Sequence, residues 1–138
     1  MTQINPYLTF NGNCRQAMTF YHECLGGELK MMTMKETPMA AQIPPEAQNN
    51  IMHANLQNGA IVLLASDGMG TPLVSGNTNT ISISCDTEEE INRFFNNLSS
   101  GGQVTMPLAK QFWGGIFGMF TDKFGMNWML NCEQAPAQ

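Results

Sequence analysis

An α+β chain made of two βαβββ modules is what this sequence predicts, and three observations carry that prediction. A helical pattern stopped by a glycine pair occurs twice: Phe20-Tyr21-His22-Glu23-Cys24-Leu25-Gly26-Gly27-Glu28-Leu29 is echoed by Phe94-Phe95-Asn96-Asn97-Leu98-Ser99-Ser100-Gly101-Gly102-Gln103-Val104. In each copy the chain leaves a helix at the glycines and re-enters an extended segment. An apolar strand pattern precedes each copy, and a strand hairpin follows each. The repeat of roughly 65–75 residues is too long for a solenoid unit of about 20–50. Two such units in 138 residues describe a duplicated module whose halves share a cavity.

The first module spans 1–70. Its first strand is expected over Ile4 to Phe10, where Leu8 and Phe10 alternate with Tyr7 and Thr9. Asn11-Gly12-Asn13 makes a turn, and either Asn can cap the helix that follows. Ala17, Met18, Tyr21 and Leu25 give that helix an apolar stripe. Glu28 to Met34 reads as a second strand. Residues 35–50, with Pro38, Pro44 and Pro45, read as a long irregular loop, a feature often used as a lid or partner contact. Ile51 to Leu56 and Ala60 to Ala65 flank Gln57-Asn58-Gly59, and Asn-Gly between apolar runs is a hairpin signature.

The stretch from Gly68 to Asn77, with three Gly, a Pro and a Ser, is the natural connector, assigned to 71–78, and the second module occupies 79–133. Ile81 to Cys85 alternates as a strand. Thr87-Glu88-Glu89-Glu90 forms a capping box, with acids where the helix dipole favours them. The helix runs to about Leu98. Val104 to Met106 reads as a short strand and Gln111 to Gly115 as a loop. Ile116 to Thr121 and Met126 to Cys132 form a hairpin around Asp122-Lys123-Phe124-Gly125. Residues 134–138 are a polar tail.

Composition narrows the function. With 43% apolar and 12% charged residues, the chain can fill a core but offers few surface ion pairs. Twelve Met and 13 Gly favour an adaptable interior. The formal net charge is −5, and the two Arg and four Lys are scattered, which excludes a nucleic-acid footprint. It also disfavours a strongly anionic ligand, which wants paired basic groups. No apolar run approaches the ~18 residues of a membrane span, and no signal-peptide core is seen. Four Cys (14, 24, 85, 132) without a C-x-x-C pair read as reduced, buried thiols of a cytoplasmic protein.

The segments TDKFGMNWMLN at 121–131, NPYLTFNGNC at 5–14, the Phe-Tyr…Leu-Gly-Gly of 20–27, HANL at 53–56 and ASD at 65–67 resemble the PhnB-like proteins. These are members of the vicinal oxygen chelate superfamily, with glyoxalase I, bleomycin-resistance proteins and extradiol dioxygenases. The resemblance covers about residues 4 to 133 and implies two βαβββ modules whose mixed sheets curl around a trough, often in a homodimer. Some such proteins are called 3-demethylubiquinone methyltransferases, but this chain has no glycine-rich loop with a downstream acid for a methyl-donor nucleotide.

In metal-using relatives the resemblance implies four His or Glu ligands, from the first and last strands of each module. They hold a divalent ion that chelates two substrate oxygens. Here those positions fall on Pro6 or Tyr7, at or beside Thr80, on Leu63 (four after Gly59) and on Met129 (four after Gly125). None is His, Asp or Glu, so no metal and no other cofactor is expected at the usual place.

Other residues remain as candidates for binding. His53 and Asn55 share a strand face opposite Met52, Ala54 and Leu56. His53 suits hydrogen bonding or proton transfer near neutral pH, or else a carbonyl-satisfied structural role. His22, on the helix, reads as structural. Asn127 and Asn131 share a face with Met129, opposite Trp128 and Leu130, and an amide suits a carbonyl, amide or hydroxyl ligand. Tyr7 trims the same trough, and Phe112 and Trp113 would wall it with aromatic surface. Asp67 is either a turn cap or, facing the trough mouth, a base or anchor. No nucleophile elbow, P-loop, dinucleotide fingerprint or HExxH is present.

The expectation is therefore a metal-free, glyoxalase/bleomycin-resistance-like protein that binds or sequesters a small molecule, working as a homodimer without nucleic-acid or membrane partners. The alternative is a lyase- or dioxygenase-type enzyme acting on a small oxygenated metabolite. Its divalent ion would be held unusually by His53 and a carboxylate such as Asp67.

Overall fold

A computed structural model describes residues 2–133, and the expected tail at 134–138 lies outside them. The chain divides into two units, Met1–Val74 and Ser75–Gln138.

The first unit contains strand β1 (Tyr7–Phe10), helix α1 (Cys14–Leu25), and strands β2 (Glu28–Thr33), β3 (Ile51–Asn58) and β4 (Ile61–Asp67). The sheet order is β1-β4-β3-β2, with β1 parallel to β4 and the other pairs antiparallel. α1 packs on β2, β3 and β4. Its buried Ala17, Met18, Tyr21 and Leu25 meet the face that carries Leu8, Phe10, Ala54, Leu56, Leu63 and Ala65. The loop expected at 35–50 is not wholly irregular. It contains three 3-10 turns, Met34–Glu36, Ala40–Gln42 and Pro45–Ala47, pinned by Gln48 Nε2 donating to the carbonyls of Ala40 and Ile43.

The second unit repeats the order: β5 (Ile81–Cys85), α2 (Glu88–Leu98), β6 (Gln103–Lys110), β7 (Ile116–Thr121) and β8 (Asn127–Cys132). Its sheet runs β5-β8-β7-β6, again with the first pair parallel. α2 covers β5 and β8. Phe120 stacks on Trp128 at 6.3 Å and meets Phe95 edge-on at 5.0 Å. Gly118 makes room for this cluster, since a Cβ there would press on the Phe95 ring. β6 is longer than the expected Val104–Met106. Register shifts on both sides of Met106 break its alternation.

Both helices end in the glycine pairs. Gly26 and Gly101 turn the chain with φ of 74° and 79°. The second glycine of each pair lies against the opposite hairpin. A Cβ on Gly27 would strike the Gln57 carbonyl oxygen, and one on Gly102 the Thr121 carbonyl oxygen.

Candidate functional site

Because α1 covers one face of the first sheet, alternation leaves the opposite face for Tyr7, Thr9, His53, Asn55, Leu64 and Ser66. Tyr7, Leu64, Asn55 and Lys30 form one row across β1, β4, β3 and β2. In the neighbouring row Thr9 pairs with Ser66 and Met32 with His53. Tyr7 is 51% exposed, its ring centroid 6.4 Å from that of the exposed His53. The expected grouping of Tyr7, His53 and Asn55 on one face is therefore present. His22 stands apart, its Nε2 2.9 Å from the Gly27 carbonyl at the helix exit.

The second sheet's uncovered face has different chemistry. Ser82, Met129, Met119 and Met106 form one row across β5, β8, β7 and β6, and Ser84, Asn131, Phe117 and Ala109 form the next. Three thioethers side by side make a soft, adaptable apolar platform. Sequence reasoning missed this row because the three Met are brought side by side only by the pairing register of β6, β7 and β8. It also left Ser82 and Ser84 unweighed, although both alternate with the buried side of β5.

Two residues share an unusual feature. The side-chain oxygens of Asn55 and Asn131 are buried and accept no hydrogen bond from the protein. Each lies on the sheet face opposite its unit's helix, an acceptor left unsatisfied as the side chain stands.

Four expected site residues have other roles. Asp67 is 3% exposed and points into the first unit. Its Oδ1 accepts from the Gly12 and Cys14 amides and its Oδ2 from Ile51, at 2.8–2.9 Å. Both oxygens are thus committed to backbone, and it is no ligand anchor. Nor do the turn asparagines cap α1: Asn13 Oδ1 accepts instead from its neighbour Asn11. Asn127 spends its amide on structure, accepting from Thr121 Oγ1 and donating to the carbonyls of Gly76 and Asn79. Phe112 and Trp113 are 97% and 56% exposed on the loop between β6 and β7, packed edge-to-face on each other.

All four cysteines are free and buried. Burial, reinforced by the Asp67 carboxylate, pushes the Cys14 thiol up to about 12. Burial, with Glu90 nearby, does the same to Cys85. Neither is a thiolate nucleophile at neutral pH.

This doubled βαβββ architecture has known counterparts. The sequence profile of the Glyoxalase/Bleomycin resistance protein/Dioxygenase superfamily matches residues 3–130. The chain belongs to this superfamily. Protein YjdN of Escherichia coli (strain K12) is 34% identical, the alignment covering 98% of this chain and 99% of that protein. The crystal structure of protein PA1353 from Pseudomonas aeruginosa is similar at 45% identity and a TM-score of 0.87, covering 98% of this chain and 100% of that one. A PhnB protein from Bacillus cereus, described as a putative 3-demethylubiquinone-9 3-methyltransferase, shares the fold at 23% identity and a TM-score of 0.75. It covers 95% of this chain and 99% of its own.

The superfamily's metal can be tested against the residues present. Leu63 is buried under α1, so it is not the uncovered-face residue; Leu64, paired with Tyr7, takes that place. The count failed because Gly59 opens a two-residue loop, whereas Gly125 sits late in a longer turn. In the second unit Ser82, not Thr80, pairs with Met129. A phenol, a hydroxyl, a Leu and a thioether do not fit a hard or borderline divalent ion. Among the described residues, no group of three or more His, Cys, Asp or Glu could hold one. Nor is any described helix long and apolar enough to cross a membrane.

Proposed function

We propose that this superfamily member binds and sequesters a small, neutral-to-polar organic molecule on its uncovered sheet faces, without a metal at the usual positions. The observation that carries the reading is the pair of buried, unpartnered amide oxygens of Asn55 and Asn131. A buried acceptor without a donor costs about 1–3 kcal/mol. On the sheet faces opposite the helices, a turn of either amide would present its acceptor to a ligand. His53 and Tyr7 beside Asn55 add a hydrogen-bonding ring and an aromatic wall.

The same reading includes self-association and a cytoplasmic setting. The edge strand β6 leaves Val104 and Met106 each 44% exposed, apolar surface that a second copy would cover. Four free cysteines suit a reducing compartment. Light scattering at micromolar concentration is expected to give twice 15.2 kDa.

The decisive test uses Asn55→Leu. It is expected to raise the unfolding free energy, by up to about 1–3 kcal/mol, because an orphaned acceptor is replaced by an apolar group. It should also weaken the ligand recovered from a thermal-shift screen by about 0.5–1.5 kcal/mol. His53→Ala should weaken the same ligand at unchanged melting temperature. A destabilised Asn55→Leu with undiminished binding would make the amide structural and end the proposal. Elemental analysis of untagged protein should find well under one equivalent of transition metal per chain.

A further inference from the structure

On β3 the two residues between buried Ile51 and buried Ala54, Met52 and His53, are both exposed. A regular strand sends consecutive side chains to opposite faces, so strict alternation puts Met52 across the sheet from His53. The pairing with β2 cancels that expectation. Met32 pairs with His53 but Thr33 pairs with Ile51, which leaves Met52 as an extra residue without a partner on β2. Such a residue is a β-bulge, which interrupts the period of two and re-aims a side chain. Ile51 and Ala54 take the side that α1 covers, and Met52 and His53 are left together on the other. Met32, 46% exposed against 42% for Met52, faces them from β2.

The bulge thus collects two thioethers and one imidazole at the surface. Opposed residues on neighbouring strands have Cβ atoms about 4.5–5.5 Å apart, and methionine's three rotatable bonds let its sulfur swing across such a gap. Among the described residues neither ring nitrogen of His53 is hydrogen-bonded, so the imidazole is free to coordinate. We infer that Met32, Met52 and His53 form a site for a soft, closed-shell monovalent cation, Cu(I) or its redox-stable counterpart Ag(I). Thioethers are soft donors that select Cu(I), and imidazole suits copper as well. Hard and borderline divalent ions want carboxylates, thiolates or several imidazoles, and among the described residues no group of three or more such side chains supplies them. Three neutral donors leave the ion's charge uncompensated, which a half-exposed surface tolerates and a core would not. The stronger soft ligands, the four cysteine thiols, are all buried, so the folded chain presents the thioethers first. The site shares His53 with the small-molecule reading but does not depend on it. An open site of neutral donors exchanges its ion freely, so the low metal content expected of isolated protein stands.

The test is an NMR titration of the full chain, labelled at its methionine methyls, with Ag(I) in chloride-free buffer. One equivalent should move the Met32 and Met52 methyls and the His53 ring protons, while Zn(II) at the same concentration leaves the two methyls in place. Met52→Leu keeps the volume of an exposed side chain, so it should hold its melting temperature yet bind Ag(I) about tenfold more weakly. Met32→Leu and His53→Ala should weaken binding in the same way. Undiminished binding by Met52→Leu, an equal response to Zn(II), or shifts confined to the Met106, Met119 and Met129 methyls would overturn the inference. So would silence throughout, or unfolding that precedes any methyl shift, since the ion has then gone to the buried thiols. Asn55→Leu leaves all three donors intact and should bind Ag(I) as the parent does, so this inference and the small-molecule reading can fail separately.

Discussion

Each unit buries one aspartate, and the two are used at very different range. Asp67 in the first unit and Asp122 in the second are both 3% exposed, and the carboxylate of each accepts N–H bonds, backbone amides among them. Asp67 gathers the turn before α1, the first residue of α1 and the start of β3, segments far apart in sequence. Asp122 accepts from the Phe124 and Met126 amides and the Trp128 indole, all in its own hairpin. The helices follow the same division. α1 has its first amide satisfied by the distant Asp67, whereas α2 is capped locally by Thr87 Oγ1, which accepts from the Glu90 amide at 3.1 Å. A folded carboxylate can replace a missing local cap, but its loss then loosens several segments at once.

Asp67→Ala tests that contrast most severely. Stranding the buried amides of Cys14 and Ile51 should cost about 2–6 kcal/mol, at about 1–3 for each unsatisfied group. Urea unfolding should show a lower midpoint at an unchanged slope. The alkaline limb comes next. The Cys14 and Cys85 thiols rise from 9.0 to about 12 in the folded chain, so the folded state holds these protons more tightly. The stability they contribute is complete below pH 9 and is lost as pH climbs from 9 toward 12. Stability curves across that range should fall, and serine at both positions should flatten the fall.

Asp122→Ala should cost less, about 1–3 kcal/mol, because its turn amides can reach water while the Trp128 indole is left buried. The near-ultraviolet dichroism of Trp128 should change with it. If this variant proves more damaging than Asp67→Ala, range is not what matters. Thr87→Ala should cost about 1 kcal/mol as an ordinary lost cap. Asn13→Ala, whose side chain caps nothing, should fall within about 0.5 kcal/mol of the parent. A larger loss there would mean that α1 does depend on its own turn.

The same contrast explains what was legible in the sequence. Helix stops, the Asn-Gly hairpin and the Thr87–Glu90 box are local chemistry, and they lie where the pattern places them. Alternation also put His53 with Asn55 and Asn131 with Met129. Asp67 and Asn127 were misread because their partners sit far away in sequence, at Ile51 and Gly76 for example, beyond any local rule. β6 was shortened because bulges around Met106 erase its period of two. The three 3-10 turns of 34–47 are too short to leave a period at all.

The helix exits bear on how a duplicated gene can diverge. Where two side chains touch, a change in one can be answered by a change in the other, and the copies drift apart pair by pair. Here one face carries a phenol and an imidazole, at Tyr7 and His53, while the other carries a row of three thioethers. Gly27 and Gly102 touch main-chain carbonyls instead, and a carbonyl has no alternative allele. No second-site substitution can relieve a methyl placed there. These two positions should therefore stand as fixed points in any library of variants, the shared ancestry still readable after the working surfaces have parted.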